Sequence, residues 1–174
     1  MDKRVASKQR SRDGQAGRFA SGGGTDDPGR SDRAAERLTA CDAATDQAAA
    51  DEARLRYRHR GVAPIQPDEF DQRIVPTLEP DEALVAVRRS AVVRHTGSSE
   101  SGAQPGPVDV YVTTRRLLLV GSDVQGFDLA TLDQTVVSNE RLLLALGNGV
   151  GLTLEVDWPR LLRVEIAAAR AARR

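Results

Sequence analysis

The sequence has few of the residues that most often carry chemistry or cross-link a small protein. Its 174 residues include one cysteine, Cys41, and two histidines, His59 and His95, and only 3% are aromatic. A single cysteine excludes an intramolecular disulfide and favours a reducing compartment. No His/Cys cluster has the spacing of a metal site, and no basic residue is fixed beside Cys41 by spacing. We therefore expect no catalytic residues, no cofactor and no metal.

The sequence also lacks a long apolar run and a strong net charge. No stretch approaches the roughly 20 apolar residues that span a bilayer, and the charged N-terminus has no apolar run behind it, unlike a secretory signal. The formal net charge is zero. Nucleic-acid binding usually requires a dense basic patch with aromatic stacking platforms, so no nucleic-acid partner is expected. We expect a cytoplasmic protein.

The first 77 residues are predicted to lie outside the main domain. Residues 1–32 are rich in Gly, Ser and charged residues, which predicts a disordered tail. Residues 33–60 contain no Gly or Pro and many alanines, which predicts a helix that ends at Gly61. Its apolar positions form a weak seam: Ala34, Leu38, Cys41, Ala48 and Leu55. Three prolines then predict an extended linker over residues 61–77.

Short apolar runs separated by turn residues follow. Residues 83–94 are predicted to form a strand that bends near Arg88-Arg89-Ser90, and residues 95–107, rich in Gly, Ser and Pro, a long loop. The stretch VDVYVTTRRLLLV, residues 108–120, predicts a hairpin with valines on its apolar face and Tyr111 facing outward. Further strands are predicted at residues 125–129 and 135–137 and in RLLLAL and GLTLEV, which a Gly-Asn-Gly turn at residues 147–149 connects.

A helix is predicted after the last strand. Asp157 has the side chain of an N-cap, and Pro159 suits the first helical turn. Trp158, Leu162 and Ile166 would share the face that packs on the strands. Six or seven short antiparallel strands followed by an amphipathic helix predict a mainly β domain, a small barrel or sandwich whose open end the helix covers.

This order of elements, with three motifs, resembles the pleckstrin-homology-like (PH-like) superfold, in particular bacterial PH-like and GRAM-type domains. LEPDEALVAV, residues 78–87, is similar to an acidic turn before the first strand, with Asp81 where that pattern often has Gly. In VYVTTRRLLLV, residues 110–120, Thr113, Arg116 and Leu117 fall on motif positions. GFDLATLDQTVV, residues 126–137, is similar to the strand and turn before the last hairpin. The resemblance implies a PH-like domain over residues 78–174.

The resemblance also implies a binding scaffold that is seldom an enzyme. We expect a non-catalytic module that binds a protein partner or a second copy of itself, since exposed strand edges invite β-augmentation. The alternative is peripheral binding to an anionic membrane surface, with the basic tail as an accessory contact. The residues near the loop that would carry it are Arg88, Arg89, Arg94 and His95.

The candidate site residues also have purely structural interpretations. Arg88, Arg89 and Arg94 would equally serve as the solvated face of a strand, with their stems covering apolar surface. Arg115 and Arg116 are expected to supply polarity to the turn, with a hydrogen bond from Arg116 back to the hairpin. Acidic pairs such as Asp81/Glu82 are expected to be solvated loop residues.

Overall fold

The computed structural model describes residues 28–65, 72–96, 102–103 and 106–173. These residues include two α-helices, eight strands and two short 3₁₀ helices, Val75–Thr77 and Leu129–Thr131. The helices are α1 (Pro28–Arg60) and α2 (Pro159–Ala172). The strands are β1 (Leu84–Thr96), β2 (Gly102–Ala103), β3 (Val108–Thr113), β4 (Arg116–Val120), β5 (Val124–Asp128), β6 (Leu132–Ser138), β7 (Arg141–Leu146) and β8 (Gly151–Glu155). The helix predicted from residue 33 begins at Pro28, and the rest of the predicted tail lies outside the described residues.

The strands form one bent antiparallel sheet in the order β5-β4-β3-β1-β8-β7-β6, with the short β2 paired to β1. The first half of β1 pairs with β3 and its second half with β8, so β1 joins the two halves of the sheet. The ladder shifts register between Arg88 and Ala91, and Ser90 lies there with φ at 56°. A bulge of this kind bends a strand. The bend predicted near Arg88-Arg89-Ser90 and the mainly β class are confirmed.

The main core lies between the two halves of the sheet and α2. Val110 and Val112 of β3 are fully buried there, as are Leu142 and Leu154 from the other half. Leu162, Ile166 and Ala169 of α2 belong to the same cluster. These helical positions follow a spacing of three and four residues, which places them on one face. The helix therefore covers the end of the sandwich, as its amphipathic pattern predicts.

A second apolar cluster covers the outer face of the first half of the sheet. Ile74, which precedes β1, packs with Leu84, Tyr111 and Leu118, and Ile65 packs against this cluster. The backbone amide of Ile65 also donates a hydrogen bond to the carbonyl of Leu84, 2.9 Å away. Tyr111 faces outward from the strand, away from the valine face, as predicted, but this second cluster buries it fully. The segment predicted as a linker thus supplies part of the core that buries this tyrosine.

Helix α1 packs against α2 through small residues. Ala50 and Ala53 are buried against Val164, with Tyr57 and Leu161 at the margin. Two residues of the predicted seam, Ala48 and Leu55, are exposed, so the seam is wrong where its side chains are described. The side chains of Ala34, Leu38 and Cys41 lie outside the described part. Gly61, with φ at 71°, ends the helix as predicted, because glycine adopts that conformation without steric cost.

The start of α2 differs from its prediction. The residue before the helix is Trp158, with φ at 59° and no side-chain capping bond, and it is 45% exposed. The predicted packing of Trp158 on the strands is therefore wrong. The predicted cap, Asp157, is exposed, and the carboxylate of Asp46 in α1 accepts the hydrogen bonds from the first α2 amides instead. A capping group from another helix joins α1 to α2 through polar bonds as well as through packing.

The hairpins follow their predictions closely. The register Val112↔Leu117 confirms the β3–β4 pair. The β7–β8 turn is confirmed by the hydrogen bond that the Leu146 amide donates to the Val150 carbonyl over 2.9 Å. Gly149 supplies the positive φ, at 78°, that the tight turn requires. The predicted loop over residues 95–107 is shorter than expected, because β1 continues to Thr96 and β2 pairs with it. Residues 97–101 and 104–105 lie outside the described residues.

Candidate functional site

The four residues predicted to contact an anionic ligand all lie on β1, and the structure does not bring them together. Each contacts a different element: Arg88 contacts α2, Arg89 contacts β3, Arg94 contacts β8, and the His95 ring lies 6.2 Å from the ring of Phe127 in β5. Successive side chains of a strand point to opposite faces of the sheet. Consecutive pairs such as Arg88-Arg89 are therefore separated by the sheet itself.

Carboxylates already partner the three arginines. Arg88 Nη2 lies 2.6 Å from Glu165 Oε2, and Arg89 Nη1 lies 2.6 Å from Asp109 Oδ2. Arg94 Nε donates to Glu155 Oε1 over 3.4 Å. The hydrogen bond from Arg89 to Asp109 raises the pKa of the Arg89 guanidinium further, in keeping with a stabilised ion pair. An anionic headgroup would have to compete with these internal carboxylates.

The acidic turn and the hairpin turn of the family-like motifs form a structural network. The Glu82 side chain is fully buried, and its carboxylate accepts hydrogen bonds from the Thr113 hydroxyl at 2.6 Å and from Arg116 Nε at 3.0 Å. Arg116 Nη2 also donates to the carbonyl of Thr77. The predicted solvated state of Glu82 is therefore wrong. The predicted hydrogen bond from Arg116 back to the hairpin is present, because its backbone amide donates to Thr113 Oγ1 over 2.7 Å. Its guanidinium binds the chain before β1.

Two opposing effects act on the pKa of the Glu82 carboxyl. Burial acts to raise the pKa of its carboxyl, but the hydrogen bonds from Arg116 and Thr113 outweigh burial, and the pKa is lower than usual. Next to this pair, Arg115 forms ion pairs with Glu79 and Asp81. The motif residues therefore connect the entry to β1 with the β3–β4 turn, and their charges are satisfied internally.

A groove runs between the edge strand β6 and α2. Its volume is about 340 Å³. Thr135 of β6 and the α2 residues Ile166 and Ala167 line it, together with Val164. A second hollow of about 480 Å³, with Leu129 and Ala130 on its wall, adjoins Ala167 and Arg170 on the same helix. Because of this groove and the second cavity, one side of α2 is open beside β6.

The charged residues that line the groove are all arginines: Arg54, Arg163 and Arg170. Arg54 forms an ion pair with Asp51 on its own helix. In the described part of the chain, neither Arg163 nor Arg170 forms an ion pair. Sequence reasoning missed both residues, although their spacing of seven, two helical turns, places them on the same side of α2. The exposed, basic side of that helix was the available signal.

The sheet ends at β5 and β6, and these two strands border only one neighbour each among the described residues. On the outer face, Val136 of β6 is paired with Leu143 of β7, and both are 37% exposed. Strand β5 is exposed along most of its length, with Val124 38% exposed. An end strand presents unpaired backbone N–H and C=O groups to an added strand. Both ends of the sheet are therefore available to an extended peptide.

The described residues contain neither a metal-binding cluster nor a membrane-spanning helix. No group of three or more His, Cys, Asp or Glu in the described residues is arranged to hold a metal ion. Among the helices of the described residues, none combines the length and apolar character needed to cross a membrane.

Seven antiparallel strands in two halves and a C-terminal helix across one end form the architecture that the resemblance to PH-like domains implied. No family model matches the sequence, and no curated protein matches it significantly. Among 22 matching solved chains is the Vps36 N-terminal PH domain, at 16% identity and a TM-score of 0.45, covering 55% of this chain and 84% of that one. The PH domain of USP37 matches at 15% identity and a TM-score of 0.38, covering 50% and 98%. Both TM-scores are below 0.5 and both identities are below 25%, so neither match assigns a property to this chain.

Proposed function

We propose that this chain is a non-catalytic interaction module that binds an extended protein segment, from a partner or from a second copy, at the free edge of β6. The observation that carries the proposal is the groove between β6 and α2. A segment added to β6 would form backbone hydrogen bonds with the edge and place alternate side chains against the helix.

The two edges of the sheet differ in ways that favour β6. Strand β6 has seven residues and β5 has five, so β6 offers the longer row of backbone groups. Ile166 and Ala167 of α2 give the groove beside β6 an apolar wall. The pair Val136 and Leu143 adds apolar surface on the outer face of the same edge. Backbone pairing supplies affinity at such an edge, and neighbouring pockets supply specificity.

The alternative function, binding of an anionic membrane surface, has weaker support. Arg88, Arg89 and Arg94 are paired with Glu165, Asp109 and Glu155, and such pairs leave little free positive charge. The basic tail that would assist lies outside the described residues. Lipid association of this kind weakens steeply with salt, whereas a strand-edge contact does not.

Two matched variants separate the edges. Val136→Lys and Val124→Lys each place a charge on an edge strand at a valine of nearly equal exposure, and edge lysines oppose strand addition. Sedimentation velocity of the full chain reports self-association. For partner binding, peptides are selected on the full chain from a random twelve-residue display library. Fluorescence anisotropy then measures the affinity of the selected peptides.

We expect V136K to dissociate any oligomer, or to weaken selected peptides about tenfold or more, and V124K to change either by less than about twofold. Equal effects of the two variants would contradict the assignment to β6. A monomer that selects no peptide but co-sediments with phosphatidylserine vesicles at low salt would replace this function with the lipid alternative.

A further inference from the structure

The arginines of α2 fall into two groups according to their partners. Arg160, at the start of the helix, lies 2.7 Å from Glu140 and 3.5 Å from Asp46. Arg173, at the end, is paired with Asp128. Between them, Arg163 and Arg170 line the groove and form no ion pair within the described ranges. Arg163 and Arg170, beside β6, are thus the arginines of this helix that pair with no carboxylate of the described residues.

The lining of the groove has one sign of charge. Its charged members are Arg54, Arg163 and Arg170, and the other members are Thr135 and aliphatic residues. Positive charge on apolar walls attracts negatively charged groups, because the protein's low dielectric constant strengthens the field in a groove. Guanidinium groups also bind carboxylates through two parallel hydrogen bonds. The groove therefore favours negatively charged segments over neutral or basic ones that would pair equally well with the β6 backbone.

We propose that the segment bound at β6 is an acidic peptide of another protein, held by carboxylates that contact Arg163 and Arg170. This inference rests on the proposed function of the β6 edge and specifies its partner. A spacing of seven positions in an α-helix places the two arginines about 10 Å apart along the axis, and an extended chain covers that distance in about three residues. Two Asp or Glu residues two or four positions apart share one face of an extended segment, and their spacing matches within the reach of the arginine side chains.

The test uses the full chain and the peptides selected from the random library. We expect the selected peptides to be enriched in Asp and Glu, and replacement of those residues by Asn and Gln to weaken binding. Arg163→Gln with Arg170→Gln should lower affinity by about five- to thirtyfold, because partly exposed ion pairs contribute modestly and the two add. Arg58→Gln removes an exposed arginine of α1 that does not line the groove, and it should change affinity by less than about twofold.

The outcomes distinguish this inference from the function on which it rests. Peptides that lose affinity in V136K but bind the double arginine variant normally would overturn the acidic partner and leave the β6 edge in place. Selection of neutral or basic peptides would also overturn the acidic partner. Self-association through β6 without peptide selection would replace the acidic partner with a second copy. Binding of phosphatidylserine vesicles that depends on Arg163 and Arg170 would replace the peptide with a lipid surface.

Discussion

The carboxylate of Asp46 in α1 accepts a hydrogen bond from the backbone amide of Leu161 in the first turn of α2, over 2.9 Å. Its other oxygen accepts one from the amide of Arg160 at 2.8 Å. The first amides of a helix have no partners within the helix, and a negative charge there also interacts favourably with the helix dipole. One side chain from a distant part of the sequence thus completes the end of α2.

Replacing Asp46 should loosen α1 from α2. Asp46→Ala removes the cap, and loss of a capping side chain costs about 1–2 kcal/mol of unfolding free energy. We expect a loss of this size in urea denaturation, with faster amide exchange in residues 46–60. Asp51→Ala removes an exposed acid that pairs only within α1, and it should cost less than about 0.5 kcal/mol. Equal losses in the two variants would show that the cap does not join the helices.

Glu82→Gln should destabilise the protein by about 2 kcal/mol, because it removes the charge that the Arg116 guanidinium faces while keeping the shape of the side chain. Glu79→Gln, which changes an exposed partner of Arg115, should cost less than about 0.5 kcal/mol. Thermal and urea unfolding of the two variants provide the comparison. A cost for E82Q no greater than that for E79Q would exclude the buried network as a source of stability.

The lowered pKa of Glu82 also gives a pH dependence. A carboxyl whose pKa is lower in the folded state binds its proton less tightly there. Its stabilising contribution is complete above the pKa of an unfolded glutamate, and it is lost as the pH falls through the folded-state pKa. Acid unfolding of the wild type should therefore be steeper over this window than that of E82Q, and parallel curves would contradict the assignment.

Glu165 should show the opposite dependence. Burial raises the pKa of its carboxyl, and the charge of Asp46 raises it further. The guanidinium groups of Arg88 and Arg56 lower this pKa, but burial outweighs them. An acid with a raised folded-state pKa contributes most stability at low pH, and the contribution is lost as the pH rises from the unfolded pKa through the folded one. Relative to the wild type, Glu165→Gln should gain stability as the pH rises through that window. Urea titrations at several pH values give the unfolding free energies of the two proteins. A difference between them that does not change with pH would contradict the raised pKa of Glu165.

Ser90→Gly should stabilise the bend in β1. Ser90 has φ at 56°, where a side chain is disfavoured and glycine is not. We expect a gain of about 0.5–1 kcal/mol, after the larger entropy loss of glycine on folding is included. Ser138→Gly in β6 changes an exposed strand residue and should destabilise by a similar amount. A loss of stability in S90G would show that the serine side chain contributes more than its conformation costs.

The sequence predicts the elements that local patterns determine. The β3–β4 hairpin follows from alternating valines and a polar turn, and the end of α1 at Gly61 follows from the freedom of glycine to adopt positive φ. The amphipathic face of α2 was also predictable, since Leu162 and Ile166 share it by helical spacing alone. Such features depend on residues that are close together in the chain.

Features that depend on distant residues were missed. The alternation of Tyr111 with valines predicts its outward direction, but Ile65 and Ile74 from the preceding segment bury that face of the sheet. Asp157 stands in the right place for a cap, but Asp46, far earlier in the sequence, supplies it. The groove was missed for the same reason, because β6 and α2 meet only in the folded chain.

Peptide binding at the β6 edge can be tested directly in the backbone amide spectrum of the ¹⁵N-labelled full chain, recorded with and without a peptide selected on it. We expect the largest shift changes and the newly protected amides to lie in β6, residues 132–138, and in α2 between Arg163 and Arg170. Changes confined to β5, or to the β1 region around Arg88 and His95, would contradict binding at the β6 edge.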